Sequence, residues 1–187
     1  QHVFERATLC TELDELVIAT DDDRIAALCE RIGAKVIQTR SDHPSGTDRI
    51  AEAAEKCEAA THVINIQGDE PLLEPELVDT LARELRNNCD IPMITAGSSL
   101  DNPELIADPN IVKLVIDRNQ NALYFSRSPI PFRRSDTPSL PTYRHLGIYG
   151  YQVDFLKHFI TLPPSSLEIA EGLEQLRALE NGATIRV

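Results

Sequence analysis

Short apolar runs alternate along the chain with stretches whose apolar positions recur every three or four residues. Leu16-Val17-Ile18-Ala19 reads as a buried strand, and Asp21-Asp22-Asp23 after it offers an N-cap and an acidic first turn for a helix. In that helix Ile25, Leu28 and Ile32 fall at helical spacing, and Gly33 stands at the expected C′ position. Residues 35–38 predict a second strand, 39–46 a polar loop and 47–56 another helix. His62-Val63-Ile64-Asn65-Ile66-Gln67 predicts a third strand and Gly68-Asp69-Glu70-Pro71 a sharp turn. Residues 75–87 then predict a helix with Leu77, Leu81 and Leu85 on one stripe. Residues 1–9 predict a further helix at the start.

This β-loop-α rhythm predicts right-handed crossovers and an α/β fold: a mostly parallel, doubly wound, Rossmann-like sheet with helices on both faces. Ligands in such sheets collect at the carboxyl ends of the strands, which points to 20–22, 41–49 and 67–70. After about residue 98 the rhythm changes. Residues 111–117, 122–126 and 143–151 read as longer strands, with a Pro/Ser/Arg-rich loop over 127–141. A single helix over 167–180, closed by Asn181-Gly182, leads to a strand starting at 184–187. The second half thus predicts a smaller antiparallel lobe within one continuous domain, 1–187.

Charge narrows the function classes. The 187 residues carry 18 Lys and Arg against 30 Asp and Glu, a formal charge of −12. That excludes a chain built to coat nucleic acid or an anionic membrane, whose affinity comes from excess basic charge. Phosphates, if handled, must be met locally. No run reaches the ~20 apolar residues of a membrane span, and nothing at the start reads as a signal peptide. Cys10, Cys29, Cys57 and Cys89 form no C-x-x-C pair, so they read as reduced thiols of a cytoplasmic protein rather than zinc ligands or a disulfide framework. The chain lacks an initiator Met and begins inside a helical pattern, so its ends are expected not to be natural ends.

Five segments offer chemistry. In Gln67-Gly68-Asp69-Glu70-Pro71, an Asp at a strand's carboxyl end can hold Mg²⁺ through a hard oxygen; the plainer reading is an acidic turn capping the next helix. Ser45-Gly46-Thr47-Asp48-Arg49 presents backbone N–H groups and hydroxyls at a helix start, suited to an anion or a base edge. Its plainer reading is Thr47 as N-cap, Arg49 as a solvated side chain and His43 as a turn residue. Strand 143–151 places His145, Gly147, Tyr149 and Tyr151 on one face, either toward a polyhydroxylated ligand or as an aromatic edge at a subunit interface. Glu168, Glu171 and Gln175 share one helical face, as sugar contacts or as a solvated row, with Leu167, Ala170, Leu173 and Leu176 supplying apolar surface. Arg127, at the end of a predicted strand, offers a fork for a carboxylate. No P-loop or dinucleotide fingerprint is present.

Six segments in order resemble the sugar nucleotidyltransferases, and among them the cytidylyltransferases of acidic sugars. They are Ala19-Thr20-Asp21-Asp22, Ser45-Gly46-Thr47-Asp48-Arg49, Asn65-Ile66-Gln67-Gly68-Asp69-Glu70-Pro71, Ala122-Leu123-Tyr124-Phe125-Ser126-Arg127, Arg144-His145-Leu146-Gly147-Ile148-Tyr149-Gly150-Tyr151 and Leu173-Glu174-Gln175-Leu176-Arg177. The resemblance implies transfer of CMP from CTP to the anomeric hydroxyl of 3-deoxy-D-manno-octulosonate (Kdo), with release of pyrophosphate, for lipopolysaccharide assembly. It implies Mg²⁺ at Asp69, Gln67 near the reacting sugar, and a cytidine pocket from Ser45, Gly46, Thr47 and Arg49. It further implies a sugar site of Arg127, His145, Tyr149, Glu171 and Gln175, with Arg127 on the sugar carboxylate. A homodimer is implied, with 1–98 as the nucleotide-binding part and 99–187 as the sugar-binding and dimerisation part.

Two family features have no counterpart in these residues: an N-terminal strand with a Gly/Arg/Lys-rich phosphate loop, and a second metal-binding Asp beyond the last residue. The expectation is therefore that the intact gene product is an enzyme and that these 187 residues alone are inactive. Two alternatives stand beside it: a cytidylyltransferase for amino-substituted Kdo or sialic acid, and a noncatalytic truncated homologue.

Overall fold

The computed structural model describes residues 1–57, 59–134 and 141–187, so the predicted loop over 127–141 lies partly outside the described residues. The chain forms two compact units, Gln1–Cys89 with Gly150–Thr161, and Asp90–Tyr149 with Leu162–Val187.

In the first unit α1 (His2–Ala7) precedes β1 (Val17–Thr20), α2 (Asp23–Arg31), β2 (Lys35–Gln38), α3 (Gly46–Glu55), β3 (His62–Asn65) and α4 (Pro75–Asn87). β1 and β2 run parallel, in register from Val17 opposite Lys35 to Thr20 opposite Gln38, with α2 as the crossover. The Asp22 carboxylate accepts from the Arg24 backbone N–H at 2.8 Å and caps α2; Gly33 takes the left-handed φ of +75° after its last turn. The buried face of α2 is not the predicted Ile25 stripe. Ala26 and Cys29 are buried while Ile25 is 46% exposed, because small side chains let the helix lie close on β1 and β2. In α4 the expected stripe is buried at Leu81 and Leu85, joined by Val78. The Asp79 carboxylate accepts from the backbone N–H groups of Thr11 and Glu12, both at 2.9 Å, and so pins the segment after α1 to α4.

The second unit contains β4 (Met93–Ser99), α5 (Pro103–Ala107), β5 (Lys113–Ile116), β6 (Ala122–Ser126), α7 (Ser166–Glu171), α8 (Gln175–Glu180) and β8 (Ile185–Arg186). β7 (Tyr143–Gln152) lies mostly here; its last residues, from Gly150, belong to the first unit together with α6 (Val153–Phe159), and β3 pairs with β7. The strand order is β6-β5-β7-β4-β8. β5 pairs antiparallel with both β6 and β7, as the longer strands predict, whereas β4 and β8 are parallel. Leu114, Phe125, Leu176, Ile185, Met93 and Ile94 fill this core.

The predicted helix over 167–180 is instead two helices. Gly172 adopts φ +63° and ends α7 with its N–H on the Glu168 carbonyl at 2.7 Å, a left-handed stop that glycine reaches without a Cβ penalty. Arg177 on α8 closes the corner, its Nε–H donating to Glu168 Oε2 at 2.8 Å. Glu168, Glu171 and Gln175 therefore do not form one helical row, and Leu167 and Ala170, expected to supply apolar surface, are exposed.

Candidate functional site

In the first unit the candidate groups stand at strand ends, where a parallel sheet collects ligands. The N-cap of α3 is Ser45 rather than Thr47: its Oγ accepts from the Asp48 backbone N–H at 3.2 Å and donates to Asp48 Oδ2 at 2.6 Å. Thr47 lies buried in the first turn, while Gly46 and Asp48 flank it. Arg49 is not a solvated side chain. Its Nη1 lies 2.9 Å from Asp21 Oδ1 and donates to Thr39 Oγ1 at 2.6 Å and to the Arg40 carbonyl at 3.3 Å. The guanidinium thus braces the carboxyl ends of β1 and β2 against the start of α3. His43 backs the same loop with Nε2 2.5 Å from Glu52 Oε2, a mostly buried pair. Lys56, the Arg40 backbone N–H and His43 together hold the Glu52 carboxyl at about 2.

Gln67 and Asp69 follow β3 and are exposed. The turn is closed by the Glu70 N–H on the Gln67 carbonyl at 3.3 Å, and the Gln67 side chain reaches the buried Asn65 Oδ1 at 3.4 Å. Helix capping does not account for Asp69, since the N-cap position of α4 is Glu74. Asp69 and Glu70 present hard carboxylate oxygens on one turn. Among the described residues no three His, Cys, Asp or Glu side chains form a closed metal cage.

In the second unit the candidates converge on β6. Arg127 follows it, and Glu171, at the end of α7, accepts from the Arg127 backbone N–H at 2.9 Å and from Ser126 Oγ at 2.7 Å. Burial pushes the Glu171 carboxyl up, but these hydrogen bonds outweigh it and leave the group below the ordinary carboxylate value. The Arg127 guanidinium donates to the carbonyls of Glu171 at 2.7 Å, Pro109 at 3.0 Å and Gly172 at 3.4 Å. Among the described residues three of its five N–H donors have a partner and two do not. Fully buried Lys113 on β5 donates to the carbonyls of Asp108 at 2.8 Å and of Ile111 and Arg127 at 2.5 Å, and burial pushes its pKa down.

His145 on β7 packs edge-on against Phe125 of β6, with ring centroids 5.0 Å apart, and lies 5.3 Å from the ring of Tyr149. This enclosure pushes its pKa down to about 4, so the imidazole is neutral near pH 7. Its Nε2 lies 2.9 Å from Oγ1 of Thr95, a fully buried residue of β4. Gln175, 3% exposed at the start of α8, packs in a helix that meets β6, and its buried Nε2 has no hydrogen-bond partner among the described residues. Asp21, Thr39, Thr95, Lys113 and Ser126 all take part in these networks. Of these only Asp21 and Ser126 fell within segments that the sequence singled out, and neither was proposed as a site residue.

Among the described residues no helix is long and apolar enough to cross a membrane. The Cytidylyltransferase family profile matches residues 1–185. The chain is 50% identical over 187 residues to a 3-deoxy-manno-octulosonate cytidylyltransferase of Solibacter usitatus, covering 100% of this chain and 74% of that protein. It is 48% identical over 199 residues to the protein of the same name from Thermodesulfovibrio yellowstonii, covering 100% and 78%. A solved structure of a CMP:2-keto-3-deoxy-manno-octonic acid synthetase complexed with CTP superposes with a TM-score of 0.95 at 43% identity, over 100% of this chain and 76% of that one. With its whole length matched in this way, the chain belongs to the cytidylyltransferase family and is a nucleotidyltransferase enzyme.

Proposed function

We propose that the enzyme transfers CMP from CTP to the anomeric hydroxyl of Kdo, giving CMP-Kdo for lipopolysaccharide assembly. The observation that carries this reading is identity near one half, over the whole chain, to proteins named for that reaction. The anomeric hydroxyl gives up its proton to solvent as its oxygen attacks the α-phosphorus; a new P–O bond forms, the bond from that phosphorus to the oxygen bridging to the β-phosphate breaks, and pyrophosphate leaves with that electron pair.

Each candidate group has a part suited to its setting. Ser45, Gly46, Thr47 and Arg49 form the cytidine end, where the start of α3 offers backbone N–H groups and the Asp21–Arg49 pair keeps the loop in shape. Gln67 stands near the reacting sugar. Arg127 uses its two remaining donors on the sugar carboxylate, and Glu171 holds the turn that aims it. Neutral His145, Tyr149 and the Gln175 Nε2, which has no partner among the described residues, meet sugar hydroxyls.

The donor set fits Mg²⁺. That ion keeps several waters and takes one or two protein carboxylates alongside substrate phosphates, so the exposed Asp69 suits it without a closed cage. Once bound, the ion neutralises charge on the phosphates and organises the reacting oxygens. A homodimer belongs to the same reading, with the exposed Leu123, Phe132 and Ile169 of the second unit as apolar surface for it. Four free thiols suit a cytoplasmic setting.

The test is Asp69→Asn in the intact enzyme, read by pyrophosphate release. Turnover falls on the order of 100-fold or more while the fold is kept, because an exposed carboxylate is exchanged for an isosteric amide. Unchanged turnover at saturating Mg²⁺ refutes the role of Asp69, and a preference for sialic acid or amino-Kdo in competition refutes the substrate.

A further inference from the structure

His145 can meet a ligand through Nδ1 as a donor or as an acceptor, and the surroundings of Thr95 decide which. Besides the imidazole Nε2 at 2.9 Å, Thr95 Oγ1 faces the carbonyl of Ile148 at 2.7 Å and that of Leu146 at 3.3 Å. Carbonyl oxygens only accept, and the hydroxyl has one proton. If that proton pointed at Nε2, the hydroxyl oxygen would face the Ile148 carbonyl lone pair to lone pair at 2.7 Å, between two buried residues, Thr95 being fully so. The arrangement that satisfies every atom has Thr95 donating to Ile148 and Nε2–H donating to Thr95. The proton of the neutral ring is then on Nε2, and Nδ1 carries a lone pair. Among the described residues Nδ1 makes no hydrogen bond, while Phe125 and Tyr149 hold the ring plane.

We propose that Thr95 is a positioning residue that fixes His145 as its Nε2–H tautomer, so that Nδ1 is presented as an acceptor for a hydroxyl of the sugar. This rests on the assignment of His145 to the sugar site. It adds a specificity rule: the position facing Nδ1 must carry a proton donor, and an analogue with a deoxy, O-methyl or keto group there loses the contact and leaves the lone pair unmet.

The closing experiment has a spectroscopic and a kinetic arm, both on the intact enzyme. Histidine-selective ¹⁵N NMR of the unmutated protein is expected to show His145 with a pyrrole-type Nε2 and a pyridine-type Nδ1. Thr95→Val, which keeps the side-chain shape, is expected to mix the tautomers and raise KM for the sugar about fivefold while kcat and KM for CTP move little. Thr95→Ser restores both readouts. A protonated Nδ1 in the unmutated protein overturns the role of Thr95, and that measurement stands even if the valine variant does not fold. An unchanged tautomer in Thr95→Val overturns it as well. The sugar-site assignment fails separately: if His145→Asn leaves KM for the sugar unchanged, His145 does not face the sugar, whatever its tautomer.

Discussion

Acid should unfold this enzyme partly through one imidazole. His145 has its pKa pushed down to about 4 by enclosure beneath Phe125 and Tyr149, against an ordinary value of about 6.5 in an unfolded chain. Among the described residues the one hydrogen bond of its ring goes to a hydroxyl, so no carboxylate stands ready to welcome the proton. The unfolded chain therefore binds more protons in the interval between the two values, and stability rises with pH across it. Read downward, the loss begins as pH falls through about 6.5 and is complete below about 4. Between pH 7 and pH 5 the shift corresponds to about 2 kcal/mol, since each unit of pKa difference carries about 1.4 kcal/mol. The assay is urea denaturation at both pH values for the unmutated enzyme and for His145→Asn, whose side chain does not titrate. Other groups titrate in both proteins, so the difference between the two pH dependences isolates the imidazole. The unmutated enzyme is expected to lose about 2 kcal/mol more on acidification. Equal losses, or an NMR titration midpoint for His145 near its ordinary value, would refute the reasoning.

Further outcomes follow from the same structure. Lys113→Met leaves three carbonyls without their shared donor but no longer buries an ammonium, so a net loss of about 2–4 kcal/mol is expected in urea at an unchanged m-value; equal or higher stability contradicts the clamp. Gly172→Ala forces a Cβ into the left-handed region and should cost about 1–2 kcal/mol by thermal or urea unfolding, although the nearest atom, Arg127 Nη2, is 3.9 Å from the new carbon. Gly46→Ala meets no protein atom within 4 Å and should leave stability unchanged or raise it by up to ~1 kcal/mol. An increase in KM for CTP then reports the ligand alone, and an unchanged KM removes Gly46 from the nucleotide end.

The alternation of strands and helices was legible wherever apolar runs were bounded by punctuation. Strand 35–38, helix 75–87 and strand 122–126 are found at the bounds read from the sequence. β4 went unread because Met93-Ile94-Thr95-Ala96-Gly97-Ser98-Ser99 is rich in small residues and does not alternate. At Gly97 the structure gives the reason: a Cβ there would come within 3.1 Å of Leu114 Cδ2 and 3.4 Å of the Arg144 carbonyl, so the strand is packed too closely at that point for a larger side chain. α6 was missed because it follows β7 with no turn residue between them. The corner at Gly172 was read through because helical spacing continues on both sides of it. The candidate site shows the same division. Groups at strand ends announce themselves in short motifs, whereas Thr95 acts from a strand interior and Lys113 from the buried first residue of β5, where a hydroxyl or an ammonium reveals its partners only after the chain has folded.

That corner also ties the order of a helix end to the chemistry beside it. The final carbonyls of α7, at Glu171 and Gly172, have no donor within the helix, and Arg127 supplies it from across the unit. The guanidinium that terminates the helix is the one proposed above to meet the sugar carboxylate. Occupancy and helix-end order then share one equilibrium: an anion that restrains Arg127 also restrains the last turn of α7, and fraying of that turn disperses the donors the anion needs. On that proposal, affinity at Arg127 is set in part by how often six residues of helix hold their final turn.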